Sequence, residues 1–482
     1  MIARATSLLV VVLSLSLLGC NTIAEETVDG LPLHVERLSE NAIRLWVGDY
    51  ISSTAVSALN ADKGIVVIDA TESPILDKRF RKVIAKEFGR DDFVYLINTH
   101  EHRDHTTGNS VYADCEIIAH ENCAEGMRQA QGNRQRTIDW LTQRIPELET
   151  ELAEKEKGTD EYNKTKEEII VRKMVLNSVQ SGAGLTFPTK TFSDKMKLDL
   201  GNMTVELYYA GGTHTASDIF VFVPEEGLLF TGDMMADTWL TDTPGCLQAF
   251  AIRQGVERNM PLMLDHWKGV IARKDEIKKY VPAHWNGELS QQGFIDRYTY
   301  VNTLYTEVTE AAKTGKQPSE LFAEFSMEAR FPDLVGTPGF TNQWVHNGSV
   351  LALWSDATGA ESATDALAEM IEKQGLEAAV SRISAERAKG SNKYYFLEGD
   401  FNRLGYRYLG DEKYEEAIAV FKMNVEMYPE SWNVYDSLAE AFMKSGQHTM
   451  AINNYNKSIE LNPENENGIR MLEEIHTTLA QK

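Results

Sequence analysis

Ile97-Asn98-Thr99-His100-Glu101-His102-Arg103-Asp104-His105 closes an apolar run that starts at Phe93. Residues 93–98 read as a buried strand, and the nine residues quoted place three histidines and two carboxylates at its end. An extended backbone sends alternate side chains to one side, so His100 and His102 can grip one cation. Asp104 and His105 lie where the chain turns into a helix, and they suit a second cation.

The chain around this motif has 482 residues, 43% hydrophobic and 25% charged, the composition of a globular protein of two or more domains. Its formal net charge of −24 repels polyanions, because nucleic-acid binding uses basic patches to displace counterions. Nucleic-acid partners are therefore disfavoured. Residues 1–20 differ from the rest: Arg4 precedes an apolar run over 8–18, too short to span a membrane as a helix but suited to a signal peptide. The tetrad Leu17-Leu18-Gly19-Cys20 resembles a bacterial lipoprotein cleavage box, which implies a lipidated Cys20 at the start of the mature chain, export to the periplasm, and attachment to the membrane. Asn21, in place of Asp, favours the outer membrane by the same resemblance. An export route permits a disulfide, and of Cys115, Cys123 and Cys246 only the first two are close in sequence.

Alternating apolar and polar residues over 31–47 predict a hairpin, and further strands follow at 54–59 and 64–68, the latter ending in Asp69. A helix over 75–88 and the strand over 93–98 then deliver the chain to His100, and a strand over 116–120 follows. Residues 125–180 are nearly free of Gly and Pro and dense in charge, with Leu141, Ile145, Leu148 and Leu152 at heptad-like spacing, and Gly158-Thr159-Asp160 breaks the pattern. They predict an inserted helical hairpin that could roof a site, bind a partner, or stand as a solvated appendage.

The spacing His-x-His-x-Asp-His resembles the signature of the metallo-β-lactamase fold superfamily, with an αββα sandwich over residues 31–290. That resemblance implies further ligands. His214 follows the predicted strand 204–209 in Gly211-Gly212-Thr213-His214; Asp233 follows strand 228–230 in Thr231-Gly232-Asp233; His284 stands in Pro282-Ala283-His284-Trp285. By resemblance His100, His102 and His214 hold one metal, Asp104, His105 and His284 the other, and Asp233 is shared. The implied cofactor is two Zn2+, with Fe or Mn compatible with the same imidazole and carboxylate donors. Asp69 matches the family's strand-end acid that orients ligands; on its own it reads equally as a turn acid before Thr71. Ala283 and Trp285 replace the usual glycines, which suggests that Trp285 projects into the pocket. His34, His120, His266, His346, His448 and His476 fit no ligand pattern.

The resemblance implies a metal-dependent hydrolase in which water activated by the metals, oriented by Asp104, cleaves an ester, lactone, thioester or amide bond of a small molecule, a β-lactam among them. Asp233 points to the glyoxalase II-like, lactonase-like and phosphodiesterase-like members, since dedicated lactamases tend to carry Cys or Ser there. Alternatives are an iron-dependent oxidoreductase similar to the persulfide dioxygenases, an alkylsulfatase-like hydrolase, and a non-catalytic scaffold.

Residues 294–314 pattern as an amphipathic helix and 331–354 as a Gly- and aromatic-rich connector, and 291–362 are expected to pack on the hydrolase domain. Gly339, Phe340, Trp344 and His346 are candidates either for its cleft or for the core. From 363 to 482 the chain is expected to be all-α. Phe401, Leu404, Gly405, Tyr408, Ala417, Phe421 and Pro429 recur 34 residues later as Tyr435, Leu438, Ala439, Phe442, Ala451, Tyr455 and Pro463, which resembles the tetratricopeptide repeat. Such arrays present a peptide groove or a self-association surface, or prop a neighbouring domain.

Overall fold

The computed structural model describes residues 27–28, 30–50, 53–132, 134–181, 185–235, 252–284, 287–336, 343–390 and 392–480. The expected signal segment with Cys20, and Cys246, Trp285, Gly339 and Phe340, lie outside the described residues. Two compact units divide the chain: 1–301 with 336–342, and 302–335 with 343–482.

In the first unit, strands β1 (Thr27–Val28), β2 (Leu31–Ser39), β3 (Ala42–Val47), β4 (Val56–Ala61), β5 (Gly64–Ile68), β6 (Phe93–Ile97), β7 (Glu116–His120) and β8 (Lys190–Phe192) form one sheet in that order. Strands β9 (Lys195–Asp199), β10 (Thr204–Tyr209), β11 (Ile219–Val223), β12 (Leu228–Gly232) and β13 (Lys279–Pro282) form the second. Pairing is antiparallel up to β5 and parallel from β5 through β8; in the second sheet only β12–β13 is parallel.

Burial on both faces of the first sheet follows the period of two. Val66 and Ile68 of β5, with Ile97 and Ile118, meet Val205, Leu207, Val221, Phe230 and Val281 of the second sheet. Ile65 and Val67 point the other way, with Leu96 and Ile117, onto Leu76, Phe80, Val83 and Ile84 of helix α1 (Pro74–Phe88). That alternation explains why β5 to β7 read as continuous apolar runs: each strand is covered on both sides. On the outer face of the second sheet, Phe220 and Tyr280 contact Trp267 and Phe294. The result is a helix–sheet–sheet–helix sandwich.

Helices α2 (Arg103–Thr106), α3 (Cys123–Gly132), α4 (Arg134–Glu154) and α5 (Asp160–Gln180) follow, then α6 (Met260–Ala272) and α7 (Gln291–Ala312). The α4–α5 pair is the inserted hairpin, closed by Leu141, Ile145, Val175 and Val179, and the Thr159 side chain caps α5 at Tyr162 N. Cys115 and Cys123 are buried free thiols, so the disulfide left open by their spacing is not formed. Among the described residues no helix is long and apolar enough to cross a membrane.

The second unit begins inside α7 at Asn302, and residues 302–335 and 343–362 cluster with it. The sequence expects a connector over 331–354, but α10 (Gln343–Thr358) occupies half of it, after α8 (Pro318–Glu324) and α9 (Met327–Arg330). Trp344, Gly348 and Trp354 of that stretch are inside this helix: Trp354 is buried, His346 is buried against the Phe325 carbonyl, and Trp344 is exposed. Helices α11 (Ala363–Gln374), α12 (Leu376–Ala388), α13 (Glu398–Gly410), α14 (Tyr414–Met427), α15 (Trp432–Lys444), α16 (His448–Leu461) and α17 (Glu466–Ala480) complete the unit. A two-residue parallel pairing of Glu361–Ser362 with Tyr394–Tyr395 interrupts the all-helical expectation. Phe401, Leu404, Tyr408, Ala417, Phe421, Leu438, Ala439, Phe442, Ala451 and Tyr455, the repeated positions, form its core.

Gly405 is fixed by contact: a Cβ there would overlap the Phe421 ring. Gly405→Ala is therefore expected to cost about 1–3 kcal/mol through overpacking. The lowered denaturant midpoint should be visible by far-UV circular dichroism; a wild-type midpoint would contradict this packing.

Candidate metal centre

Four strand ends and one loop deliver the predicted ligands. In the parallel pairs β5–β6 and β12–β13 the strand ends stand opposite each other, Ile68 to Ile97 and Gly232 to Pro282, so Asp69, His100, Asp233 and His284 all emerge just beyond strand C-termini. Backbone bonds lock these ends: Asp69 N donates to Ile97 O (2.8 Å), Ala283 N to Gly232 O (3.1 Å), and Ile219 N to Thr99 O (2.9 Å), the last joining the two sheets.

His214 sits in the β10–β11 loop, which is built around Asp218. That carboxylate accepts from His214 N (3.1 Å), Thr215 N (2.8 Å) and Thr215 Oγ1 (2.7 Å). Burial, reinforced by Glu101, holds Asp218 well above the usual carboxylate range. Glu101 in turn accepts from Ser217 Oγ, so the residue between the two strand-end histidines also braces the His214 loop.

Two groups of donors result. His100, His102, His214 and Asp233 form one, and Asp104, His105, Asp233 and His284 the other; within each, one donor atom per residue lies within 4.8 Å of the rest. Asp233 Oδ2 belongs to both, 3.7 Å from His100 Nε2, 3.3 Å from His105 Nε2, 3.7 Å from His214 Nε2 and 3.4 Å from His284 Nε2. Asp104 Oδ2 lies 3.2 Å from His105 Nε2 and 3.4 Å from His284 Nε2. Zinc bonds of roughly 2.0–2.2 Å in a tetrahedron separate ligand atoms by about 3.3 Å, so these spacings fit a shared cation. His100 Nε2, His105 Nε2 and Asp233 Oδ1 are also buried with no hydrogen-bond partner, which is costly unless something else satisfies them. The residues present therefore fit two metal ions.

Asp69 orients this cluster. Its φ is +60°, and its carboxylate accepts from Thr99 N (2.7 Å), Thr99 Oγ1 (2.8 Å) and His105 Nδ1 (3.1 Å). A proton on His105 Nδ1 leaves Nε2 as the donor to a metal. The turn-acid alternative is not what is seen: Asp77, not Asp69, accepts from Thr71 N at the start of α1.

The groups differ in protonation. Burial, with the neighbouring His105 charge, keeps His100 well below its ordinary range; burial, Arg253 and His102 do the same for His214, and burial lowers His102. In the second group burial also disfavours charge, but Asp104, Asp233 and Asp69 outweigh it and raise His105 well above its ordinary range. Asp233 and Asp104 likewise push His284 up to about 9. Burial acts to raise Asp104 and Asp233, yet His105 and His284 hold both well below the usual carboxylate range. The first group is thus already in the neutral form that binds metal, and the second must release protons.

Sequence reading missed Asp218, Glu101, Thr99, Thr54 and Arg253. Asp218 had a legible signal, an acid four residues beyond His214 in a Thr-Ala-Ser-Asp turn. The remainder act across sheets and carry none. His34, His120, His266, His346 and His448 stand in neither donor group.

Comparison with known proteins matches residues 48–284 to the metallo-beta-lactamase superfamily model and 433–465 to the tetratricopeptide repeat. Residues 48–284 belong to the metallo-β-lactamase superfamily. Within it, the chain is 25% identical over 274 residues to metallo-beta-lactamase type 2 of Bacillus cereus, covering 55% of this chain and 80% of that protein. It is 38% identical over 58 residues to the type 2 enzyme of Bacteroides fragilis, 12% of this chain and 23% of that one. It is 30% identical over 112 residues to human superkiller complex protein 3, 23% of this chain but only 7% of that protein. Among solved structures, an inverting sec-alkylsulfatase from Pseudomonas sp. aligns with 89% of this chain and 65% of its own at 12% identity, TM-score 0.45. The superfamily's members are generally hydrolases.

Two outcomes follow from the donor set. Asp69→Ala should weaken binding of the second ion by about 10–100-fold, read by competition with a chromophoric chelator, because His105 loses its orienting partner; unchanged affinity would contradict that role. His284, raised to about 9 from 6.5, stabilises the metal-free fold fully below pH 6.5 and loses that contribution as pH rises through 9. The Tm of chelator-treated protein should therefore fall between those values while metal uptake tightens; a flat Tm would contradict it.

Proposed function

We propose that the chain is an exported dinuclear zinc hydrolase that cleaves ester, lactone, thioester or amide bonds of a small molecule, β-lactams included. The observation that carries this reading is the pair of donor groups sharing Asp233 Oδ2. When bound, two zinc ions would supply Lewis-acid activation of water and of the substrate's carbonyl or phosphoryl oxygen.

The chain's own residues divide the remaining work. His100, His102 and His214 would hold the first ion, and Asp104, His105 and His284 the second. Asp233, 6% exposed, is out of reach of substrate and acts as the shared ligand. Asp104 is 34% exposed, so it alone among the carboxylates meets both metal and cleft. Its Oδ2 faces His105 and His284, and its other oxygen is left to orient the attacking water and accept its proton. Asp69 keeps the His105 tautomer fixed throughout.

The sequence of residues 1–20 supports export and a lipid anchor at Cys20 in the periplasm, and the repeats support binding of a protein partner or self-association.

Metal content of the purified chain by elemental mass spectrometry, with turnover of a chromogenic cephalosporin, a lactone, a thioester and a sulfate ester on the same sample, tests this. Two zinc ions per chain are expected, with Asp104→Ala reducing kcat by about 100-fold or more. One iron with redox turnover, or cleavage of the sulfate ester alone, would sink the reading.

A further inference from the structure

The α4–α5 hairpin interrupts the sandwich between β7 and β8, and nothing in the ligand set requires it. Its contact with the rest of the unit is nonetheless specific. Glu167 of α5, only 6% exposed, turns its carboxylate onto the turn that follows β3. It accepts from Asp49 N at 2.9 and 3.1 Å and from Tyr50 N at 2.8 Å. A Cβ on Gly48, whose φ is +86°, would come within 2.8 Å of Glu167 Oε2, so the close approach depends on glycine there. Asn163 Nδ2 adds a bond to the Tyr50 hydroxyl at 3.2 Å.

Thr54, four residues beyond Tyr50, meets the second donor group. Thr54 pairs with His284 as an isolated antiparallel bridge, and Ala55 N donates to Ala283 O at 2.7 Å. Thr54 Oγ1 lies 3.4 Å from Asp104 Oδ2. From the other arm, Thr137 of α4 accepts from Arg103 Nη1 at 3.3 Å, beside Asp104 in sequence. On the α5 side, Tyr50 stands four residues before Thr54, which contacts Asp104 and His284 of the second group; on the α4 side, Arg103 stands between His102 of the first group and Asp104 of the second. A carboxylate withdrawn from water and satisfied by three main-chain bonds fixes backbone position as a solvated appendage does not.

We propose that the hairpin is a positioning element for the second metal, with Glu167 as its positioning residue, holding Asp49 and Tyr50 four residues ahead of Thr54, the neighbour of His284 and Asp104. This rests on the reading of Asp104, His105, Asp233 and His284 as one metal's ligands. It makes affinity for the second ion, and not the first, sensitive to a residue outside the ligand shell.

Zinc titration of the chelator-treated full chain, followed by competition with a chromophoric chelator, tests it on wild type, Glu167→Ala, Glu167→Gln and Gly48→Ala. The second ion is expected to bind about tenfold or more weakly in Glu167→Ala and Gly48→Ala, with the first unchanged and Glu167→Gln, which keeps the volume and one acceptor oxygen, in between. Far-UV circular dichroism and Tm report the hairpin's integrity. Wild-type affinity for both ions in all variants overturns the proposal, as does parallel loss of both ions with a falling Tm, the mark of a merely structural contact. A wild-type chain that takes up a single ion removes the underlying reading, and the two failures are thereby told apart.

Discussion

The organisation of the first unit turns on one carboxylate oxygen that stands among four imidazoles. Asp233 Oδ2 lies within 3.7 Å of His100, His105, His214 and His284, which come from both sheets. Bringing so many donors together inside a protein is unfavourable unless cations or protons compensate them, and the sandwich has to be rigid enough to impose it. Rigidity comes from the parallel pairs. Because β5 and β6 run alongside each other, Asp69 and the histidine run begin at the same level; β12 and β13 do the same for Asp233 and His284. The Ile219–Thr99 backbone bond sets one sheet against the other at the level of the site.

This geometry explains which parts could be read from the sequence. The strand-end acids and histidines are local features, each marked by an apolar run that stops at a titratable residue, and so Asp69, His100 and Asp233 were legible. The repeats were legible for the same reason, since Gly405 facing Phe421 is a contact between residues at fixed spacing. Strands β8, β9 and β11 were not anticipated. Ile219–Val223 is a short apolar run buried at every position, a pattern that periodicity alone does not separate from a buried helix segment. The connector over 331–354 failed differently: Gly348, Trp344 and Trp354 suggest a loop by composition, but tertiary packing of Val350, Leu353 and Trp354 makes it a helix. Residues that bind ligands to their supports were hidden as well, because Glu101 and Thr54 act through contacts that sequence spacing does not encode, whereas Asp218 left a local turn signal that went unread.

In the second unit a buried polar cluster complements the apolar core. Asn465 Nδ2 bonds Asp436 Oδ1 at 2.7 Å and Ser458 Oγ at 2.8 Å, and its Oδ1 accepts from Gly468 N at 3.0 Å. These bonds tie α15, α16 and the start of α17 into one register. A two-repeat array has few neighbours to bury its faces, and here directional bonds at its end supplement the small apolar interface.

The two donor groups differ in a way that bears on how the centre works. In the first, His100 and His214 are buried and neutral, His102 is half-buried, and the loop is fixed by Asp218. In the second, Asp104 is the half-buried ligand, and the imidazoles carry protons that a metal must displace. A position that must be open to substrate cannot also be enclosed by the core, so its ligands need support from outside the sandwich. Asp69 gives that support from the strand side. Glu167 of the inserted hairpin holds Asp49 and Tyr50 by main-chain bonds, and Thr54, four residues on, lies beside Asp104. The different protonation of the two donor groups and an insertion near the second then fit the proposed single arrangement, in which a buried carboxylate outside the ligand set steadies the group that must give up protons to bind.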